Sequence, residues 1–173
     1  MKNKIVLLII LLALLPFGLK QVFGEEEYSR AQSAVKSGDQ EFAFMHFLSV
    51  LKDNPQSKHR EEALFATAEY FFLVSDYVDS FSALQEFLED YPYSKMRTLA
   101  LLYLLKISQI WRSDQSTQDI EKQIINSKRV ILLFKDTQEY RLKSPLGINY
   151  KLIYYIDRLE FYLDDKLQTQ IHY

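Results

Sequence analysis

Residues 38–44 (GDQEFAF) and 75–81 (SDYVDSF) share one pattern of turn, acidic and aromatic residues at an offset of 37 positions. The same offset brings residues 53–57 (DNPQS) onto 90–94 (DYPYS), and Ala63-Leu64 onto Ala100-Leu101. Agreement at so many spaced positions indicates an internal repeat, and a period of roughly 20 to 50 residues is typical of stacked supersecondary units. The sequence therefore predicts a repeat architecture.

Each repeat is predicted to be a pair of helices. Apolar residues recur at intervals of three and four on either side of the turn at Ser37-Gly38, which is the spacing of an amphipathic helix. The second helix should end at Asn54-Pro55, because the residue before a proline avoids the helical region. Ser57 is then placed to cap the next helix. The scheme recurs, with Tyr91-Pro92 closing the second pair.

We expect an all-α fold, a right-handed solenoid of about three helical hairpins that bury one another's apolar faces. The predicted repeats cover residues 25–57, 58–94 and 95–140. In the third, the second helix is longer and runs from Ser116 to Tyr140. The chain has only four Gly and four Pro in 173 residues, which favours long helices over many turns.

Residues 141–173 are predicted to cap the solenoid, and two patterns compete there. Helical spacing connects six apolar positions: Leu152, Tyr155, Ile156, Leu159, Tyr162 and Leu163. Alternation of apolar and polar residues on both sides of Asp164-Asp165 is equally typical of a β-hairpin around a tight turn. We predict the helix, because a solenoid end needs a capping element, and keep the hairpin as the alternative.

The first 24 residues have the layout of a secretory signal peptide. A basic start at Lys2 and Lys4 precedes an apolar run from Ile5 to Leu15, and cleavage is expected after Gly24. The alternative is an uncut anchor, although this run is shorter than the roughly 20 residues that span a bilayer. We therefore expect a protein of the periplasm or cell envelope, tethered to the membrane only if the signal stays uncut.

The composition points away from several kinds of chemistry. The chain has no Cys and a formal net charge of −2. This net charge becomes more negative once the signal peptide is removed, because residues 1–24 contain Lys but no Asp or Glu. An acidic domain without a basic tract lacks the electrostatic footprint of a nucleic-acid-binding protein. Its three histidines, His46, His59 and His172, have no spacing suited to a metal site. We expect no catalytic residues, no metal and no cofactor, and hence no enzyme.

The repeat resembles a tetratricopeptide repeat of the long-spaced envelope type. Residues 38–57 reproduce its Gly-Asp-x-x-x-Ala-x-x-x-Phe-x-x-Val-Leu-x-x-x-Pro-x-Ser arrangement. Residues 111–117 (WRSDQST) and 155–159 (YIDRL) are similar to segments of the outer-membrane assembly lipoprotein family, BamD, although the lipobox cysteine is missing. The resemblance implies a scaffold that assists outer-membrane protein assembly. The Tol-Pal coordinating proteins match the repeat core nearly as well and imply a cell-envelope coordinator instead; a ligand-binding protein or enzyme ranks below both.

The resemblance also implies a partner-binding groove, lined by the first helix of each pair. Its occupant would be an extended or helical segment of another envelope protein. The family's groove positions, carried over by register from the turns at Gly38 and Ser75, give a candidate contact set: Tyr28 and Gln32, then Phe65, Glu69 and Phe72, then Lys106 and Gln109. Val35 and Ile110 fall at groove positions too, but are predicted to belong to the core between repeats.

Overall fold

The structure, a computed structural model, describes residues 24–126 and 137–173. Six helices come first along this part of the chain: α1 (24–37), α2 (Gln40–Asp53), α3 (Arg60–Leu73), α4 (Tyr77–Asp90), α5 (Arg97–Ile110) and α6 (Asp114–Asn126). Four strands follow them: β1 (Thr137–Lys143), β2 (Asn149–Tyr155), β3 (Arg158–Leu163) and β4 (Lys166–His172). Within these ranges, every helix is too short or too polar to cross a lipid bilayer.

The helices recur with the period found in the sequence. α2, α4 and α6 begin at residues 40, 77 and 114, and α3 and α5 begin at residues 60 and 97. Asp39 and Asp76 cap α2 and α4 alike, because each side chain accepts a hydrogen bond from the backbone N–H three residues on. The 37-residue echo therefore corresponds to equal spacing of helix starts.

The turns within the three hairpins are built in the same way. Gly38, Ser75 and Arg112 have φ values of 79°, 65° and 55°. The backbone N–H of the following residue donates a hydrogen bond to the carbonyl group five residues earlier, as from Asp39 to Ala34 at 3.0 Å and from Asp76 to Phe71 at 2.8 Å. This is the Schellman arrangement, which satisfies carbonyl groups at a helix end. Each hairpin thus closes on a left-handed residue.

The predicted helix stops at the two prolines are confirmed. α2 ends at Asp53 and α4 at Asp90, just before Asn54-Pro55 and Tyr91-Pro92. The hydroxyl groups of Ser57 and Ser94 then accept hydrogen bonds from the backbone two residues on, at 3.2 Å and 3.0 Å. Because proline cannot continue the ladder, the same local chemistry ends both helices.

Contacts divide the chain into two compact units, Met1–Leu64 and Phe65–Tyr173, with the boundary inside α3. In the first unit, small and aromatic residues such as Ala31, Ala43 and Phe47 are fully buried. The core of the second unit includes nearly all of α5, from Leu99 to Leu105, together with residues of the strands.

The all-α prediction is wrong, because the second unit contains a four-stranded antiparallel sheet in the order β1-β2-β3-β4. β1 pairs with β2 from Thr137↔Tyr155 to Lys143↔Asn149. Tyr150, Leu152 and Tyr154 alternate with less buried residues along β2, which is the period of a strand with one covered face. The fold is mixed, with helical hairpins followed by a β-meander.

The predicted C-terminal helix is wrong, and the alternative hairpin is correct. β3 and β4 pair on either side of Asp164-Asp165, with Leu163 opposite Lys166. Asp164 and Asp165 have φ values of 45° and 60°, as a two-residue type I′ turn requires. Asp tolerates this left-handed region better than most residues. The turn therefore outweighs the helical spacing of the apolar residues beside it.

The long helix predicted from Ser116 to Tyr140 is also wrong at its end. Residues 137–140 belong to β1, whose partner strand returns through a loop in which Ser144 receives a hydrogen bond from Ile148. Residues 127–136 of the predicted helix lie outside the described residues. So does the predicted signal peptide, except for Gly24, which is buried at the beginning of the described part of α1.

Candidate interaction surfaces

In the N-terminal unit, the groove candidates Tyr28 and Gln32 lie together on α1. Gln32 donates a side-chain hydrogen bond to the Tyr28 hydroxyl at 3.3 Å, and that hydroxyl donates to Glu62. The Tyr28 ring is stacked on His59, with centroids 3.6 Å apart and planes 6° from parallel. Partial burial and the bond to Glu62 raise the pKa of Tyr28. The two candidates are half-buried and held by neighbours within their own unit.

The histidines of this unit are tied to carboxylates of α1. His46 Nδ1 lies 2.6 Å from Glu27, which also pairs with Arg30, and His59 Nε2 lies 3.1 Å from Glu25. These pairs join α1 to α2 and to the turn that precedes α3. In the described ranges, no group of three or more potential ligands could hold a metal ion.

In the C-terminal unit, Phe65 and Phe72 belong to an aromatic cluster. Phe65 is fully buried and lies 5.3 Å from Phe87 and 6.4 Å from Tyr103 between ring centroids. Phe72 is half-buried, with its ring 4.7 Å from that of Tyr103. Aromatic pairs at these distances stabilise a core. Phe65 is therefore a core residue and is not accessible to a partner.

Glu69 is also fully buried, and it lies at the centre of a polar cluster that joins α3 to α5 and β2. One of its carboxyl oxygens accepts hydrogen bonds from Tyr103 at 3.2 Å and from Tyr150, and the two phenol oxygens are 2.5 Å apart. Burial raises the pKa of Glu69 to about 8, against the lowering effect of Ser144, Tyr103 and the Leu146 backbone.

The remaining groove candidates lie on α5. Lys106 donates from its ammonium group to the backbone carbonyl of Gln168 in β4 at 3.2 Å, whereas Gln109 is exposed. Ile110, which was predicted to be core, is 45% exposed. Glu69 and Lys106 thus bond to residues of the chain's own sheet. The candidates of this unit do not form one open groove.

The sequence reasoning missed a set of exposed apolar residues at the ends of two hairpins. We call this set the tip patch; it consists of Leu73, Val74, Val78, Ile110 and Trp111, exposed by 38%, 51%, 66%, 45% and 45%. Leu73 and Val74 close α3, and Ile110 and Trp111 close α5 at the equivalent repeat positions. The ring of Phe81, one turn beyond Val78 in α4, lies 5.2 Å from that of Trp111.

A signal for the tip patch was present in the repeat alignment. The positions of Leu73, Val74 and Val78 correspond in the first repeat to Lys36, Ser37 and Glu41. The hairpin of the first repeat thus has polar residues at all three positions, whereas the second carries Leu, Val and Val and the third carries Ile, Trp and Gln. Comparison of residue type between repeats, in addition to the shared pattern, would have identified these positions.

A second missed cluster lies on the sheet face opposite Tyr150. Glu160 accepts hydrogen bonds from Tyr155 at 3.0 Å, Tyr162 at 2.7 Å and Arg158 at 3.0 Å. Although burial raises the pKa of Glu160, these donors outweigh burial and lower the pKa. Arg158 also covers the ring of Tyr155, with its guanidinium carbon 3.7 Å from the ring centroid. The cluster connects neighbouring strands and is structural.

In comparisons with known proteins, no family model and no curated protein matches this chain.

Proposed function

We propose that this chain is a non-catalytic protein-interaction module whose contact surface is the tip patch. Clustered exposed apolar residues mark sites of association in soluble proteins, and the five residues of the tip patch all fall at the ends of two successive hairpins. The group contains Trp111, and tryptophan is enriched among the residues that dominate binding energy. These properties suit the capture of a protein segment.

The observation that carries the proposal is the contrast between repeats. Lys36, Ser37 and Glu41 show that the hairpin closes with polar residues at these positions. Folding of a hairpin therefore does not require Val74 or Val78 to be apolar. Exposed apolar residues that folding does not require are better explained by binding.

The tip patch is a better candidate than the groove expected from the tetratricopeptide resemblance. Phe65 and Glu69, two central groove positions, have no exposed surface. Lys106 is engaged by the carbonyl of Gln168. By contrast, Val78 is 66% exposed and can be reached by another molecule without any rearrangement of the fold.

We further propose the bacterial envelope as the place of action. The support is the basic start and apolar run of residues 1–15, together with the resemblance to the outer-membrane assembly lipoprotein family. Assistance to outer-membrane protein assembly is the process that this resemblance favours. Mass spectrometry of the protein from separated periplasmic and cytoplasmic fractions tests the location. A mature N-terminus at Glu25 in the periplasmic fraction is expected, and an intact chain found in the cytoplasmic fraction alone would contradict the proposal.

The binding proposal is tested by photo-crosslinking in cells. A benzophenone amino acid at position 74 should give a discrete adduct with another protein, whereas the same group at position 156 should not. Ile156 is a suitable control because it is 71% exposed but lies in the turn between β2 and β3.

The paired substitution Val78→Ser and Trp111→Ser should abolish the adduct at position 74 and leave the far-ultraviolet circular dichroism unchanged. Ile156→Ser is the matched control and should preserve the adduct. An adduct of equal yield in the doubly substituted protein, or adducts at position 156 alone, would overturn the proposal.

A further inference from the structure

The tip patch has an acidic surround. Asp76 caps α4, and Asp79 lies in its first turn, on either side of Val78. Asp114 begins α6, three residues after Trp111. All three acids are exposed. Within residues 73–79 and 110–116, Arg112 is the one basic residue.

The acidic character continues along α4. This helix contains no Lys or Arg, and its exposed acids are Asp79, Glu86, Glu89 and Asp90. Val78, Ser82 and Glu89 follow one another at helical intervals on the exposed side of α4. A molecule that covers Val78 and extends along this side therefore meets negative charge.

The apolar residues of the two hairpins are linked through Phe81. Val78 and Phe81 are three residues apart and so lie on the same side of α4. Phe81 in turn contacts the ring of Trp111 at the end of α5. The patch therefore spans two hairpins of the C-terminal unit and can accept more than one anchor side chain.

We infer that the tip patch binds a segment of another protein in which apolar anchor residues are flanked by Lys or Arg. This inference rests on the proposed function and names the chemistry of the partner. Apolar side chains of the segment would cover Val78 and Trp111, and its basic residues would face Asp79 and Asp114. Complementary charge of this kind selects partners and raises the association rate.

The same charges disfavour two other occupants. A second copy of the chain, packed patch against patch, would bring together the acidic residues that surround the two patches, and like charges at an interface suppress association. An anionic lipid surface would be repelled in the same way. A basic, apolar protein segment satisfies both components of the surface.

The test uses panning of a random 15-residue peptide display library against the purified chain, followed by affinity measurements with synthesised peptides. Recovered peptides should combine Leu, Ile, Phe or Trp with adjacent Lys or Arg. Binding should weaken about tenfold or more with Val78→Ser and Trp111→Ser, and it should be unchanged with Ile156→Ser.

Charge is tested separately with Asp79→Lys, which should weaken the binding of the basic peptides several-fold while leaving the apolar contact intact. Glu41→Lys is the matched control, because Glu41 is the equivalent position to Val78 in the first repeat and lies in the other unit. Raising the salt concentration from about 50 mM to 500 mM should reduce the affinity of the original chain more than that of the Asp79→Lys chain.

The outcomes separate the two proposals. Peptides whose binding depends on Val78 and Trp111 but which lack basic residues would overturn the inference about partner chemistry. The proposal that the tip patch is an interaction surface would remain. Peptides that bind equally well to the doubly substituted chain would overturn both. Sedimentation that shows a dimer abolished by Trp111→Ser, or flotation with phosphatidylglycerol vesicles that depends on the same residue, would also overturn the inference.

Discussion

Tyr150 in β2 donates a hydrogen bond from its phenol to the buried carboxyl group of Glu69 in α3. The two residues are 81 positions apart in the chain, and with Tyr103 they hold the sheet against the helices of the C-terminal unit. Because the cluster is buried, its stability should depend on whether Glu69 is charged.

The first prediction concerns alkaline pH. The pKa of Glu69 is raised from 4.5 to about 8 in the folded protein. Between these two pH values, the folded state therefore keeps a proton that the unfolded state has lost. The contribution of Glu69 is therefore complete below about pH 4.5 and is lost as the pH rises through about 8. The negative charge of Asp164 raises the pKa of Glu69 further.

Urea denaturation at pH 6 and pH 9 should show a loss of a few kcal/mol in the free energy of unfolding at the higher pH. Glu69→Gln should flatten this dependence, since an amide stays neutral. Equal loss of stability in both proteins between these pH values would mean that another group is responsible.

The second prediction isolates the hydroxyl group of Tyr150. Tyr150→Phe removes a donor to Glu69 while keeping the ring, so the free energy of unfolding should fall by about 1–3 kcal/mol. Tyr154→Phe is the control, because Tyr154 lies on the same strand and is similarly buried but packs its ring against Tyr140. Thermal unfolding should show a clear decrease for the first variant and little change for the second.

The third prediction concerns acid and the other sheet face. The pKa of Glu160 is lowered in the folded state from its ordinary 4.5, so its contribution is present above about pH 4.5 and is lost as the pH falls through the lowered value. Glu160→Gln should reduce stability at pH 7 by about 1–3 kcal/mol, because Arg158 loses a charged acceptor. Glu139→Gln, at an exposed ion pair with Arg141, should cost less than about 0.5 kcal/mol.

The fourth prediction tests the turn that decides the C-terminal fold. Asp165 has a φ of 60°, which costs an L residue more than glycine. Asp165→Gly should therefore raise the free energy of unfolding by up to about 1 kcal/mol, despite the loss of the exposed ion pair with Lys151. Asp165→Val should lower it, since a branched side chain is strained there. Opposite signs in differential scanning calorimetry would contradict this account of the hairpin.

Local chemistry explains what could be predicted from the sequence. The ends of α2 and α4 follow from Pro55 and Pro92, and their starts follow from Asp39 and Asp76, because caps and breakers act within a few residues. The C-terminal prediction went wrong because Leu152, Leu159 and Leu163 satisfy a helical spacing as well as strand alternation. There the type I′ turn decided the outcome.

The site was harder to predict because burial is not a local property. Glu69 occupies a repeat position equivalent to Gln32, and nothing within a few residues of it indicates that Tyr150 will cover it. Val78 and Trp111 were passed over for a different reason. Apolar residues in a helical pattern are usually core, and their exposure is evident only once each helix end is placed.

The left-handed joints of the three hairpins carry different residues. Gly38 adopts its φ of 79° freely, whereas Ser75 and Arg112 hold a similar backbone with a side chain attached, at a cost of about 1 kcal/mol each. An engineer who wants a more heat-resistant protein thus has two ready positions for glycine, Ser75 and Arg112, both of which border the tip patch. The first hairpin already shows that the joint works without a side chain.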